Sequence, residues 1–234
     1  MKHLIIVPTY NEAENIEKLV LSIFKLYPSI NILIVDDSSP DGTGSLIKNM
    51  QSDNSSLYLL SQKSKSGLAK AYINGLKWGI NNGFDLFTTL DADFSHKPVY
   101  IQDAINLINS GCDIACGSRY IEKAHTTEKN WFRNFISIVG NNYINFILGQ
   151  QLKDWTGGFN TYTKCAIEKI NLDEITVSGY IFQTQIKYKA LKSGSIIKEF
   201  PIVFEERKQG KSKMSASIIL EAFISVLKIK FYKK

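Results

Sequence analysis

The feature that most constrains this chain is a repeated alternation. A short apolar, β-branched run is followed by a polar turn, and then by a stretch with apolar residues at helical spacing. His3-Leu4-Ile5-Ile6-Val7 is the first run, ended by Pro8, and Ala13 to Leu26 then carries Ile16, Leu19, Val20, Ile23 and Phe24 on a helical period. Ile32-Leu33-Ile34-Val35 is the second, leading through Asp36-Asp37-Ser38-Ser39-Pro40-Asp41-Gly42-Thr43 into a helix over Ser45 to Gln51. Unbroken apolar runs mark strands buried on both faces. Their alternation with helices predicts an α/β fold: an open, mixed but mostly parallel sheet with helices on both faces.

The rest of the chain continues the pattern. Strands are expected at Leu57 to Leu60, Asp85 to Leu90, Asp113 to Cys116 and Ile196 to Phe204, the last as an edge or bulged strand because Pro201 lies within it. Helices are expected from Gly67 to Asn81 with Gly83 as cap, Val99 to Asn109 with Gly111 as stop, Trp131 to Leu148, and Val177 to Leu191. Lys123 to Lys129 and Glu205 to Lys213 read as polar loops. Ser215 to Phe231 is an amphipathic helix followed by lysines. With 234 residues and no linker or repeat, the reading is one domain over 1–214 and a C-terminal helix over 215–234. Cys112, Cys116 and Cys165 lack metal-ligand spacing and read as buried thiols of a reducing compartment. Neither a signal peptide nor a run of about 20 apolar residues is expected, so the chain reads as cytoplasmic.

In open α/β sheets, ligands gather beyond the carboxyl ends of the strands. Three acidic loops fall there: Glu12, Asp36 with Asp37, and Asp91 with Asp93. Residues i and i+2 of an extended backbone point the same way, so Asp91 and Asp93 can converge on one hard cation such as Mg2+ or Mn2+. Such ions complete their shells with substrate phosphates, so the pair predicts a metal–diphosphate site. Arg133, Ser137 and Asn141 lie four apart on an otherwise apolar helix, a stripe suited to a phosphate. A net charge of +6 fits an anionic substrate or an anionic membrane surface. The aromatics lie in apolar runs and not between basic clusters, which tells against nucleic acid.

Six motifs in order then resemble a known family. They are Pro8-Thr9-Tyr10-Asn11-Glu12, Val35 to Thr43, Asp91-Ala92-Asp93-Phe94-Ser95-His96, Gly117-Ser118-Arg119-Tyr120, Thr156-Gly157-Gly158-Phe159 and Ser212-Lys213-Met214-Ser215. Together they resemble the dolichyl-phosphate (polyprenyl-phosphate) mannosyltransferases of glycosyltransferase family 2, with the GT-A fold. The resemblance implies an inverting transfer of a sugar from a nucleotide-sugar donor, GDP-mannose above all, to a polyprenyl phosphate. It implies that Pro8, Tyr10, Glu12 and Asp37 contact the nucleoside and that Asp91 and Asp93 hold Mg2+ or Mn2+. It further implies that Arg207 and Lys213 close on the donor phosphates, and that Arg119, Arg133 and Ser137 receive the acceptor phosphate. Asp91, Asp93 and Arg207 are the implied catalytic groups. Asn160 and Gln185 depart from the family's pattern, which has a base and an acid there. Two alternatives use the same residues: a transferase with UDP-glucose, a UDP-N-acetylhexosamine or a saccharide acceptor, and a non-catalytic nucleotide-sugar-binding subunit. A lipid acceptor also implies attachment to the cytoplasmic membrane face, through the chain's own surface or a separate transmembrane subunit.

Overall fold

A computed structural model describes residues 1–126, 131–177, 179, 181–204 and 216–231. The first half follows the expected alternation: β1 (His3–Thr9), α1 (Ile16–Leu26), β2 (Asn31–Asp36), α2 (Thr43–Gln51), β3 (Leu57–Ser61), α3 (Leu68–Asn81), β4 (Leu86–Thr89), α4 (Ile101–Asn109) and β5 (Ile114–Ser118). The second half adds β6 (His125–Thr126), α5 (Trp131–Leu148), β7 (Asn160–Thr163), α6 (Lys164–Glu168), α7 (Ile181–Lys192), β8 (Ile197–Pro201), β9 (Val203–Phe204) and α8 (Ala216–Phe231).

Seven strands form one sheet in the order β3-β2-β1-β4-β7-β5-β8, and β6 pairs with β9 beside it. All pairs of the main sheet are parallel except those of β7, which runs antiparallel between β4 and β5. Side chains alternate across the sheet as strand geometry requires. Leu4, Ile6, Leu33 and Val35 pack with residues of α3, α5, α7 and α8 on one face. Ile5, Val7, Ile32 and Ile34 pack with α1, α2 and α4 on the other. α8 contributes Val226 and Ile229 to the first core, and among the described residues no helix is long and apolar enough to cross a membrane.

Several expectations need correction. β1 runs through Pro8 to Thr9 and stays paired with β2, Pro8 opposite Val35. Pro8 is tolerated because its missing N–H faces the side where β4 has already ended, Ile6 opposite Thr89 being the last pair. β7 was not expected, since Asn160-Thr161-Tyr162-Thr163 lacks an apolar run. Most of its polar groups bond inside the protein, Thr161 Oγ1 lying 2.7 Å from Thr88 Oγ1 and Asn160 Nδ2 donating to Gly157 O. α7 starts at Ile181, not Val177, behind a Gly179 held at φ 61, outside the helical region. Within Lys123 to Lys129, expected to be all loop, His125 and Thr126 form a strand; residues 127–130 lie outside the described residues. The expected strand over Ile196 to Phe204 is broken at Ile202, and its first part, β8, is an edge strand. Cys112 and Cys116 are buried, but Cys165 is exposed on α6.

Candidate active site

The carboxyl ends of β1, β2 and β4 lie side by side, and the acidic loops emerge there as expected. Asn11, Ser38 and Phe94 each adopt positive φ of about 60° as the chain turns out of its strand. Asp36 ties the first two loops together. Its Oδ1 accepts from Thr9 Oγ1 at 2.9 Å and Ser39 Oγ at 2.6 Å, and its Oδ2 from Ser39 N at 3.1 Å. Asp37 is also engaged within the protein, accepting from Ser66 N, Ser66 Oγ and Gly67 N at 2.7, 2.9 and 2.8 Å. It fixes the loop that opens α3, a role the sequence did not reveal. Tyr10 stands beside it with a third of its surface open, and the Lys65 ammonium lies 3.6 Å from its ring centroid. Glu12 is joined to the second loop through its amide, which donates to Thr43 Oγ1 at 3.1 Å.

Asp91 is held from below. Tyr72, buried on α3, donates its hydroxyl to Asp91 Oδ1 at 2.8 Å, while Oδ2 lies 3.9 Å from His96 Nδ1. Burial and then the Asp91 charge keep the Tyr72 hydroxyl protonated well above its ordinary range. His96, buried between the rings of Phe159 and Phe204, has its pKa lowered by burial against the pull of Asp91 and Asp93. Its Nδ1 lies 3.5 Å from the Asp91 amide, the geometry of a neutral ring accepting a long hydrogen bond. Asp93 Oδ1 accepts from Ser95 N at 3.0 Å, shaping the turn.

Gly158 faces this carboxylate. A Cβ there would lie 3.5 Å from Asp91 Oδ2 and 3.5 Å from His96 Cε1, so glycine keeps the space beside Asp91 clear. Among the described residues no three of His, Cys, Asp and Glu form a metal cage. A carboxylate pair of this kind, with the Asp91 side chain 20% exposed, fits a hard divalent cation whose remaining ligands are phosphate oxygens and water. Asp91 and Asp93 are therefore the residues that would hold it.

Arg119 leaves β5 and meets a partner the sequence reading left without a role. Its Nε donates to Asp154 Oδ2 at 2.7 Å and its Nη2 to Asp154 Oδ1 at 2.8 Å, a two-pronged ion pair, with Thr156 Oγ1 a further 3.1 Å from Nη2. Asp154 is wholly buried and Arg119 about five-sixths so. Burial opposes both charges, yet the Arg119 charge and hydrogen bonds outweigh it and hold the Asp154 carboxyl at about 2. The same pairing raises the Arg119 pKa. Asp154 was legible only as the residue before the Trp-Thr-Gly-Gly turn; nothing local joins it to a base 35 positions earlier.

On α5, Ser137 Oγ accepts from Tyr120 OH at 2.8 Å, which places it next to the end of β5. Asn141 is structural: its Oδ1 accepts from Trp155 N at 2.8 Å and its Nδ2 donates to Ser137 O at 2.9 Å. The expected phosphate stripe thus loses Asn141 to the turn that carries Asp154. The side chain of Arg133, and all of Arg207 and Lys213, lie outside the described residues.

Comparison with known proteins agrees with this geometry. A model of glycosyl transferase family 2 matches residues 4–176. The polyprenol monophosphomannose synthase of Mycolicibacterium smegmatis is 38% identical over 224 residues, covering 95% of this chain and 84% of the relative. The undecaprenyl-phosphate mannosyltransferase of Micrococcus luteus is 35% identical, covering 97% of this chain and 93% of the relative. Among solved structures, a Pyrobaculum calidifontis mannosyltransferase in complex with GDP-Man and Mn2+ matches with a TM-score of 0.62 at 15% identity, over 97% of this chain and 69% of that one. Glucosyl-3-phosphoglycerate synthase from Mycobacterium tuberculosis matches with a TM-score of 0.68 at 13% identity, over 100% of this chain and 81% of that one. These two likenesses carry the fold, the GT-A arrangement expected from the motifs. From the match over residues 4–176 and the two relatives covering nearly its whole length, the chain belongs to glycosyl transferase family 2.

Proposed function

We propose that this chain transfers mannose from GDP-mannose to a polyprenyl phosphate, inverting the anomeric centre. The observation that carries the reading is the turn Asp154 to Gly158. One end of it grips Arg119, and the other faces Asp91, so groups suited to two different anions lie on the two ends of one short turn. The names of the two relatives above support mannose as the sugar and a polyprenyl phosphate as the acceptor.

Pro8, Tyr10, Glu12 and Asp37 bound the nucleoside, Asp37 acting chiefly through the loop it holds at Ser66 and Gly67. Asp91 and Asp93 would hold Mg2+ or Mn2+, which would supply neutralisation of the charge gathering on the departing diphosphate. By the family resemblance Arg207 and Lys213 are assigned to the donor phosphates, and Arg119, Arg133 and Ser137 to the acceptor phosphate. A phosphate oxygen is already ionised near neutral pH, so no protein base needs to take its proton. The oxygen bonds to the anomeric carbon as the bond to GDP breaks, and GDP leaves with the electron pair. The residues' work is alignment and exclusion of water.

A lipid acceptor requires the site to reach a bilayer. α5 and α8 pack together through Tyr143 and Phe223, ring centroids 4.4 Å apart, and Lys230 Nζ donates to Leu148 O at 3.3 Å. Outward they present Phe135, Ile138, Val139 and Phe146 from α5, and Ile224, Leu227 and Phe231 from α8. Exposed apolar residues on two packed helices, with Lys228 in the last turn of α8, suit the interface of an anionic membrane. The reading places the protein peripherally on the cytoplasmic membrane face, bound directly or with a transmembrane subunit.

The test is a donor panel. GDP-mannose, UDP-glucose and a UDP-N-acetylhexosamine are each supplied with undecaprenyl phosphate and Mg2+ or Mn2+. Mannosyl-lipid from GDP-mannose, abolished by EDTA and by Asp93→Asn, is the expected result. Product from a UDP-sugar instead, or nucleotide binding without product, overturns the reading.

A further inference from the structure

We infer that Lys187 is a positioning residue for the acceptor side of the site, pinning the Asp154 to Gly158 turn from beneath and so fixing Arg119. The inference rests on the transfer reaction proposed above. Lys187 lies in α7 with none of its surface exposed. A buried ammonium is costly unless its donors are paired. Its Nζ donates to Asp154 O at 2.9 Å and to Gly157 O at 3.3 Å. Those carbonyls bracket the turn, and the residues that own them reach both sides of the site. The Asp154 carboxylate grips Arg119, and Gly157 leads into Gly158, which faces Asp91 and whose carbonyl accepts from Thr89 Oγ1 at 2.7 Å.

A buried ion is seldom the most stable filling for a core position, since an apolar side chain of similar volume often does as well or better. What the lysine supplies is direction. By holding backbone carbonyls only, it leaves both Asp154 oxygens to Arg119 while adding a second positive charge that favours the ionised carboxylate. The same helix carries Phe182, stacked on Tyr72 at 5.4 Å, and the Tyr72 hydroxyl bonds Asp91. One helix therefore braces both the metal-binding carboxylate and the acceptor-side arginine.

The experiment compares wild-type protein with Lys187→Met in transfer from GDP-mannose to undecaprenyl phosphate, alongside calorimetric GDP binding. The variant is expected to raise the acceptor KM by about tenfold or more while GDP affinity stays within about twofold. In an Arg119→Lys background, Lys187→Met should add less than about twofold, because both changes act on one guanidinium. Equal losses for donor and acceptor, full additivity with Arg119→Lys, or an unchanged acceptor KM each overturn the role. Should Lys187→Met fail to fold, Lys187→Gln, which removes the charge while keeping a polar group in the core, is read by the same measurement, with a smaller rise in acceptor KM expected and GDP affinity unchanged. If neither variant folds, Lys187 serves stability and the positioning role is overturned. A wild-type protein that binds GDP yet is inert towards the lipid phosphate strikes the functional reading itself. An active wild type with an unaffected variant strikes only Lys187.

Discussion

Asp154→Asn is the sharpest test of how the proposed acceptor side is built. The substitution keeps shape and removes charge. Asp154 Oδ2 accepts from Arg119 Nε at 2.7 Å and from the Arg119 amide at 3.2 Å, while Oδ1 accepts from Arg119 Nη2 at 2.8 Å and the Gly157 amide at 3.0 Å. Whichever way an asparagine amide turns, its NH2 group meets two of these donors with nothing to accept them. An exposed ion pair is worth about 0–1 kcal/mol, whereas removing one partner of a buried pair costs about 3–5 kcal/mol. Asp154 has 0% and Arg119 only 17% of its side chain exposed, so the buried figure applies, at its lower end because the guanidinium keeps some contact with water. We expect a loss of about 3 kcal/mol, which leaves a protein of ordinary stability folded. In a chain of this size that corresponds to a melting temperature lower by about 6–12 °C. Urea titration at pH 7, followed by circular dichroism, measures it, with an unchanged slope confirming that the same surface unfolds. The cost should shrink in an Arg119→Met background, where no guanidinium is left stranded. A loss below about 1 kcal/mol would mean the pair behaves as a surface contact, and the account of a rigid, preformed Arg119 would be refuted.

Three further outcomes follow from other parts of the structure. Gly158→Ala should leave the melting temperature almost unchanged but weaken Mn2+-dependent GDP binding by about tenfold, since its Cβ would sit 3.5 Å from Asp91 Oδ2; unaltered binding in a fluorescence titration would show that the space is not used. Burial holds His3 at about 4, with Nε2 2.8 Å from Thr88 Oγ1. An unfolded histidine protonates near 6.5, so the unfolded chain takes up the proton first and stability falls as pH drops from about 6.5 towards 4, by at most about 1.4 kcal/mol per unit. His3→Gln should therefore flatten the decline in urea midpoint between pH 7 and pH 5, and identical slopes would contradict the argument. Finally, Phe146 and Phe231 are 85% and 72% exposed, so replacing both with Ser removes little core contact. The double variant should melt like wild type yet sediment less with anionic vesicles; equal sedimentation would rule out this face as the membrane contact.

The sheet was legible as far as burial on both faces wrote itself into unbroken apolar runs. β1, β2 and β4 read directly because Leu4 to Val7, Ile32 to Val35 and Leu86 to Phe87 are buried throughout. The loops after them were legible for the same reason, since a strand that ends abruptly in acidic residues announces a polar rim. β7 hid because Asn160, Thr161 and Tyr162 are buried polar groups whose hydrogen bonds run to Thr88, Gly157 and Gln183 across the fold and not to any local pattern. The start of α7 was misplaced for a related reason. Gln183, Thr184, Gln185 and Lys187 are all buried, so the helix has no polar face to set its period.

The division between what could and could not be read follows the two halves of the candidate site. The half proposed for the donor is built from strand ends, where a few consecutive residues supply the carboxylates and the turn together, so short motifs suffice. The half proposed for the acceptor is built across the antiparallel strand, from Arg119 and Asp154 brought together over 35 positions and from Lys187 a further 33 positions on. Each of those charges is tolerable only because the others are already in place, and a sequence displays the charges without their pairing. A guanidinium held by a buried carboxylate loses little orientational freedom when a phosphate arrives, so the cost of ordering it falls on folding and not on binding. The part of the molecule least visible in the sequence is thus the part whose function depends most on being fixed beforehand, and any reassignment of the acceptor would have to account for why Arg119 is so tightly held.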